Sequence, residues 1–348
     1  MIDARGPESV GALISPNSTT EEHYLLQRLM RGLGSQHVDH RLRQVDFSDQ
    51  RTAPHYPGFN MPIAELANSD AILLVGSNIR KDQPMAGHHL RQASLKAASV
   101  MVINPVDYTF NFEVTHKLIV APTMILEHLS GIAKALIALS NRSKEVGDLL
   151  ENVKPTAEQT KIATVLLAAK KPALVLGLLA EQHDQAAGIR SLVDMIAMLS
   201  EGVASRLTNG ANAAGAWLAG AVPHRTAGAK PVDKPGFDAQ AQIQTDLDAY
   251  FIVNFDPAFD CANGSHAQER LSKAAMVVAL TSYKEPSLLA AADVLLPISA
   301  FAETSGTFVN ASGQWQSFAG VSKAPGETSP AWKVLRVLGN LFKLSRFD

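Results

Sequence analysis

Short apolar runs, each closed by turn residues and separated by helix-patterned stretches, constrain this chain more than any other feature. Gly11–Ile14, Ala71–Val75, Ser99–Ile103, Leu118–Val120, Ala173–Leu176, Ala249–Asn254, Ala275–Leu280 and Asp293–Leu296 read as strands. They are largely apolar rather than alternating, as strands buried on both faces are. Between them the apolar positions recur at helical spacing: Leu25, Leu29 and Leu33, flanked by Leu26 and Met30, form one stripe. Ser15-Pro16 stops the first strand, Ser18 with Glu21 predicts a capping box, and Gly34 supplies the helix end. Further helices are predicted over His88–Lys96, Thr123–Leu139, Gly188–Leu199 and Pro330–Leu344. The alternation predicts an α/β protein of doubly wound, mostly parallel-sheet, Rossmann-like lobes.

At 348 residues the chain is long enough for two cores. A polar stretch around Lys154-Pro155, spanning 141–159, suggests a boundary, with a first lobe over 1–150 and a second over 151–348. Glycine and alanine dominate from Gly202 to Gly236, where Trp217 and Leu218 predict a packed irregular segment rather than a linker. AILLVGSNIRKDQP leads through a helix to SVMVINP and then KLIVAP, while AYFIVNFDPAFD leads likewise to AMVVAL and DVLLP. Strand starts recur after about 26–28 residues in both, near the length of a βαβ unit. Either the two are ordinary βαβ units, or they are related lobes facing each other across a cleft.

Several function classes are excluded. A formal net charge of −2 gives no footprint for nucleic acid or an anionic membrane. The longest apolar runs, such as Ala173–Ala180, fall short of a bilayer span, and MIDARGPESV lacks a basic-then-apolar leader pattern. The single cysteine, Cys261, permits no internal disulfide and cannot alone hold an iron–sulfur cluster. The expected location is cytoplasmic. No G-x-G-x-x-G, Walker loop, H-E-x-x-H or G-x-S-x-G occurs. His37-x-x-His40 and His88-His89 are the only close histidine pairs, and adjacent helical residues point about 100° apart, unsuited to one metal. Cys261, with His266 nearby in FDCANGSH, reads as a loop thiol, and Asp246 and Asp248 lie too near a strand start for an acid–base pair.

Two places could hold a ligand. Gly76-Ser77-Asn78, with Arg80 and Lys81 beyond, follows a strand and opens a helix: a tight turn with an Asn cap, or an anion site. Asn254-Phe255-Asp256-Pro257 has the same ambiguity. The second place is ADVLLPISAFAETSGTFVNASGQWQ. There a buried strand (Val294, Leu295, Leu296) is stopped by Pro297, Glu303 follows, Gly306 turns into a half-buried strand over Thr307–Val309, and Asn310 and Gly313 turn again. It is a shaped backbone cradle without a nucleophile or metal cage.

Ser15-Pro16 through Glu22, LLQRL at Leu25–Leu29, HRLRQVDF at His40–Phe47, ILLVGSNIRKDQP, ADVLLP, GTFVNASGQWQ and PGETSPAWKVLRVLGN resemble molybdopterin oxidoreductases. The wording is nearest the G subunits of respiratory NADH–quinone oxidoreductase, complex I, and the resemblance covers nearly the whole chain. It implies two lobes that in the molybdenum enzymes grip a bis-pterin guanine dinucleotide, and in the complex I subunits generally persist as a scaffold. Electrons there pass through iron–sulfur clusters in a cysteine-rich N-terminal region absent here, so this chain resembles the C-terminal part. The molybdenum enzymes carry an acid where Thr281-Ser282-Tyr283 stands, and Glu-Gly-Arg where Ser312-Gly313-Gln314 stands. No residue matches the molybdenum-binding Cys or Ser, whereas Gly210-x-Asn212-x-x-Gly215 resembles a cofactor-side loop.

The resemblance implies a structural module of the hydrophilic arm, without catalytic residues of its own and without a resident metal. Gly76, Ser77, Asn78, Asn212, Gly306 and Asn310 would line a vestigial pterin or nucleotide cleft. Its expected partners are the other hydrophilic subunits and the iron–sulfur region of the same polypeptide, at the inner face of the plasma membrane. The alternatives are a molybdopterin guanine dinucleotide-dependent oxidoreductase, or a fragment of one, and a nucleotide-binding protein using Gly76–Asn78.

Overall fold

The computed structural model describes residues 2–140 and 150–347. Its strands are β1 (Val10–Ile14), β2 (Val38–Asp39), β3 (Ala71–Val75), β4 (Ser99–Asn104), β5 (His116–Ile119), β6 (Pro172–Leu176), β7 (Val203–Arg206), β8 (Arg225–Thr226), β9 (Lys230–Pro231), β10 (Ala249–Val253), β11 (Met276–Thr281), β12 (Val294–Pro297), β13 (Gly306–Val309) and β14 (Trp315–Phe318).

Contacts gather the chain into two units that differ from the expected halves. The first comprises residues 1–57 with 209–348, and the second residues 58–208. The reason is pairing: β1 adds in parallel to β10, register Val10↔Ala249 through Ile14↔Val253, and so joins the N-terminal strand to the C-terminal half. The expected boundary falls inside the second unit, and its residues 141–149 lie outside the described residues.

The first unit holds a five-stranded parallel sheet in the order β12-β11-β10-β1-β2. Successive side chains of a strand point to opposite faces. Ala12 and Ile14 therefore join one core with Leu26, Leu29, Met30 and Leu335, while Leu13 joins another with Tyr250, Ile252 and Leu271. Both faces being covered, the strands read as unbroken apolar runs. The second unit repeats the design as β5-β4-β3-β6-β7, with Leu73, Val75, Leu174 and Leu176 packed under Leu129, Ile132 and Ile196. The two sequence repeats correspond to β3-β4-β5 and β10-β11-β12, each winding outward in strict order from its first strand.

Among the described residues, only Pro122–Ser140, 19 residues of mean hydropathy 1.3, is long and apolar enough to cross a membrane. Leu129, Ile132, Ala133 and Leu136 on it are wholly buried in the core of the second unit.

Three local expectations shift. The first long helix, Thr20–Gly32, is capped one residue later than Ser18/Glu21 predicts: the Thr19 hydroxyl accepts the Glu22 N–H (3.2 Å) and the Glu22 carboxylate accepts the Thr19 N–H (2.9 Å). Val294–Leu296 is not buried, because β12 is the edge of its sheet. Thr307–Val309 is half of an antiparallel hairpin: the turn expected at Asn310 and Gly313 leads into a partner strand, Trp315–Phe318, that the sequence reading does not include. Within the glycine-rich segment the helix Ala213–Ala219 buries Trp217.

Candidate functional site

In open parallel sheets ligands meet the carboxyl ends of strands where the strand order reverses. That point lies between β1 and β10 in the first unit and between β3 and β6 in the second. The expected residues divide: Asn212, Gly306 and Asn310 belong to the first unit, and Gly76, Ser77 and Asn78 to the second.

In the first unit β1 runs into Ser15–Thr19 and the capped start of the following helix. Fully buried Asn212 ties this loop to the hairpin. Its Nδ2 donates to the Ser18 carbonyl (2.8 Å) and to Thr20 Oγ1 (3.2 Å), and its Oδ1 accepts the Val309 N–H (2.7 Å). Gly306 lies against the cap, where a Cβ would stand 2.4 Å from Thr19 Cγ2. The next N–H, of Thr307, donates to the Glu21 carboxylate (2.9 Å). Asn310 closes the hairpin turn, its Oδ1 accepting the Ser312 and Gln314 N–H groups at 3.0 Å. Glu303 accepts the Ala300 N–H of its own turn (3.0 Å), and burial pushes the Glu22 carboxyl up to about 7.

In the second unit the reversal point is closed by its own backbone. The Gly76 N–H donates to Ile103 O (2.8 Å), and the Ser77 N–H to Oδ1 of buried Asn104 (2.7 Å), whose Nδ2 returns a bond to Ser77 O (3.0 Å). Gly76 has φ +59, and a Cβ there would stand 2.5 Å from the Ala180 nitrogen. A Cβ on Gly177, at the end of β6, would stand 2.1 Å from Ser77 Cβ. These contacts leave no backbone donor of Gly76 or Ser77 for an added phosphate. Asn78 precedes a single helical turn, Ile79–Asp82, without a side-chain cap. The comparable Asn254 takes φ +60, and Asp256 beyond it caps a short helix by accepting the Ala258 N–H (2.8 Å).

A buried polar cluster at the carboxyl end of β2 escaped sequence reasoning. Asp39 accepts from Arg41 Nη2 (2.7 Å) and Nε (2.9 Å) and from the His40, Arg41 and Ala239 N–H groups. Burial opposes the Asp39 charge, but Arg41 holds its carboxyl below the usual range. The Arg41 guanidinium lies between the rings of Phe47 (4.6 Å) and Trp217 (5.1 Å). Around it stand His40, donating from Nδ1 to Ala221 O (2.9 Å), His23, donating from Nε2 to Ser15 O (3.1 Å), and His224. Burial lowers His23 to about 3 and His40 and His224 to about 4. His37 is likewise engaged, donating to Glu8 O (3.1 Å), accepting the Phe237 N–H (2.8 Å) and stacking on Phe237. The sequence around the cluster, Gln36-His37-Val38-Asp39-His40-Arg41, is polar and carries no pattern that marks a buried site.

The Cys261 thiol lines a pocket of about 260 Å³ with Leu13, Leu42, Val45 and Ile243, and burial pushes it up to about 12. Among the described residues no three His, Cys, Asp or Glu side chains are grouped to hold a metal.

Residues 1–341 match the model of the molybdopterin oxidoreductase family. The chain belongs to that family. Similar curated proteins include the mitochondrial NADH-ubiquinone oxidoreductase 78 kDa subunit of Candida albicans, 27% identical over 94% of this chain and 38% of that protein. A G-type component of the NADH-quinone oxidoreductase of Rhizobium meliloti is 22% identical over 89% of this chain and 40% of its own length. The assimilatory nitrate reductase catalytic subunit of Bacillus subtilis is 21% identical over 98% and 56%. The chain thus spans well under two thirds of these relatives. Among solved structures, acetylene hydratase from Pelobacter acetylenicus superposes with a TM-score of 0.67 at 16% identity, over 99% of this chain and 57% of that one. A chain of the formyltransferase/hydrolase complex from Methylorubrum extorquens gives 0.65 at 17%, over 96% and 92%. The α/β architecture of parallel-sheet cores is that of the molybdopterin oxidoreductase type.

Proposed function

We propose that this molybdopterin oxidoreductase-family chain is a non-catalytic structural module of the hydrophilic arm of an NADH–quinone oxidoreductase. In this reading Gly76, Ser77, Asn78, Asn212, Gly306 and Asn310 are the remains of a cofactor cleft. The observation that carries it is the inward use of the polar groups at these positions. The polar atoms of the Asn212 amide, and the backbone donors of Gly76 and Ser77, are spent within the fold. Thr281, where the molybdenum enzymes hold an acid, donates to the Tyr283 carbonyl (2.9 Å), and Gln314 accepts from Asn310 (3.1 Å). With those groups so engaged, the residues named do not fit a pterin nucleotide.

Relatives named as NADH–quinone and NADH–ubiquinone oxidoreductase subunits support the assembly assigned here. So does the exposed aromatic surface of the hairpin region. Phe301 stacks obliquely on Phe318 (5.6 Å) and Phe308 (6.4 Å), with Phe301, Trp315 and Val321 exposed. Exposed apolar patches of this kind suit packing against neighbouring subunits. The second reading, a molybdopterin-dependent oxidoreductase or part of one, is favoured by the nitrate reductase relative. Metal analysis and pterin fluorescence on protein purified from its native host separate the two. Substoichiometric molybdenum with co-purification of respiratory subunits is expected, and one molybdenum per chain would sink the scaffold reading.

A further inference from the structure

The pocket of about 260 Å³ beside Cys261 lies within the first unit and is lined by none of the residues expected in a cofactor cleft. Its floor is apolar: Leu13 on β1, with Leu42, Ala239 and Ile243, all buried. Its mouth is polar. Gln44, Gln240, Gln244 and Asn263 stand round it, and Gln244, Ala262 and Asn263 are exposed, which gives a small molecule a way in. The walls are tied to their neighbours. The Ala262 N–H donates to Leu42 O (2.9 Å), Arg270 Nε to Ile243 O (3.2 Å), and the Ala239 N–H to the Asp39 carboxylate (3.0 Å). A site shaped before its ligand arrives spends less of the binding energy on ordering.

The lining selects against charge. No Asp, Glu, Lys or Arg lines the pocket, so an ion entering it would lose water without gaining a counter-charge. Burial pushes the Cys261 thiol up to about 12, so it stays uncharged. The mouth instead offers spare carboxamide atoms. Gln240 and Gln244 make no side-chain hydrogen bond among the described residues. Gln44 uses only Nε2, toward Asp46 O (2.8 Å), and Asn263 only Oδ1, which accepts the His266 N–H (3.1 Å). A carboxamide both donates and accepts, and so matches a hydroxyl or a carbonyl. An apolar cavity of about 150 Å³ admits benzene. The larger volume here leaves room for a ring with a substituent.

We propose that this pocket binds a small uncharged ring compound of the phenol type, its ring against Leu13 and Ile243 and its polar group at Gln240 and Gln244. An apolar floor with a few polar groups at the mouth is the usual form of a small-molecule site. The site is independent of the scaffold role and needs no pterin.

The test uses the whole chain, with para-bromophenol as the probe and para-bromobenzoate as its charged counterpart. Crystals soaked in para-bromophenol are expected to show an anomalous bromine peak between Leu13 and Ile243, and para-bromobenzoate none there. In solution, saturation-transfer NMR is expected to report para-bromophenol binding that Ala262→Phe abolishes. Ala262 is exposed at the mouth, so the larger side chain blocks entry without disturbing the core, and an unchanged melting temperature checks this. Gln244→Trp, exposed on another segment of the mouth, repeats the test should Ala262→Phe lower the melting temperature. No bromine peak in the pocket, an equal peak for para-bromobenzoate, or binding unchanged in both variants overturns the proposal and leaves the pocket a gap in packing.

Discussion

Lowering the pH from 7 to 5 is expected to destabilise the first unit by about 3–4 kcal/mol. Its buried polar cluster contains His23 near 3 and His40 and His224 near 4, against 6.5 for the unfolded side chain. Each is neutral in the fold, so the unfolded chain takes up protons first, and stability falls as pH drops below 6.5 towards 4. At pH 5 each imidazole costs about 2 kcal/mol relative to pH 7, about 6 together, at about 1.36 kcal/mol per pKa unit. Glu22 works the other way. Its folded value near 7 exceeds the ordinary 4.5, so the fold binds its proton first and regains about 2 kcal/mol over the same interval. Asp39, held low by Arg41, keeps its charge throughout the interval. Urea titration followed by tryptophan emission reads this unit alone, because Trp217, Trp315 and Trp332 all belong to it. A midpoint at pH 5 equal to or above that at pH 7 would refute the assignment of neutral buried imidazoles. With His23→Gln, about 2 kcal/mol of the acid loss should disappear.

Other outcomes follow from single contacts. Asn212→Ala strands the Ser18 carbonyl and the Val309 N–H, and should cost about 3 kcal/mol in the same titration; unchanged stability would mean the strut is dispensable. Gly177→Ala forces a Cβ against Ser77, and should cost about 3 kcal/mol or more, seen as lost hydrogen-exchange protection across β3 and β6. The Cys261 thiol, held near 12 by burial, should react with a disulfide reagent at pH 8 about 100-fold slower in the fold than in urea. Equal rates would show that the pocket leaves the thiol open.

Much of the candidate site was legible as position and little as role. Gly76-Ser77 after β3 and Gly306 through Asn310 after β12 were picked out because strand ends and tight turns leave plain sequence marks. That the Ser77 N–H is taken by Asn104, and the Val309 N–H by Asn212, depends on partners 27 and 97 residues distant. No local pattern encodes such distances. The one-residue error at the cap has a physical source. Ser18-Thr19 and Glu21-Glu22 offer two capping boxes in adjacent frames, and the choice fell to the frame that frees Glu21 for Thr307 and the Ser18 carbonyl for Asn212.

By itself, the sequence determined the local grammar: unbroken apolar strands, amphipathic helices and the parallel α/β class they require, since strands covered on both faces need no alternation. Tertiary structure alone decided which strands share a sheet. Backbone hydrogen bonding is indifferent to side-chain identity, so nothing in Val10–Ile14 announces that it pairs with Ala249–Val253, uniting the chain's two ends in one unit. The same long-range closure brought Asp39, Arg41, Trp217 and His224 together. It made a charged interior out of residues that, read one by one, promise only a turn.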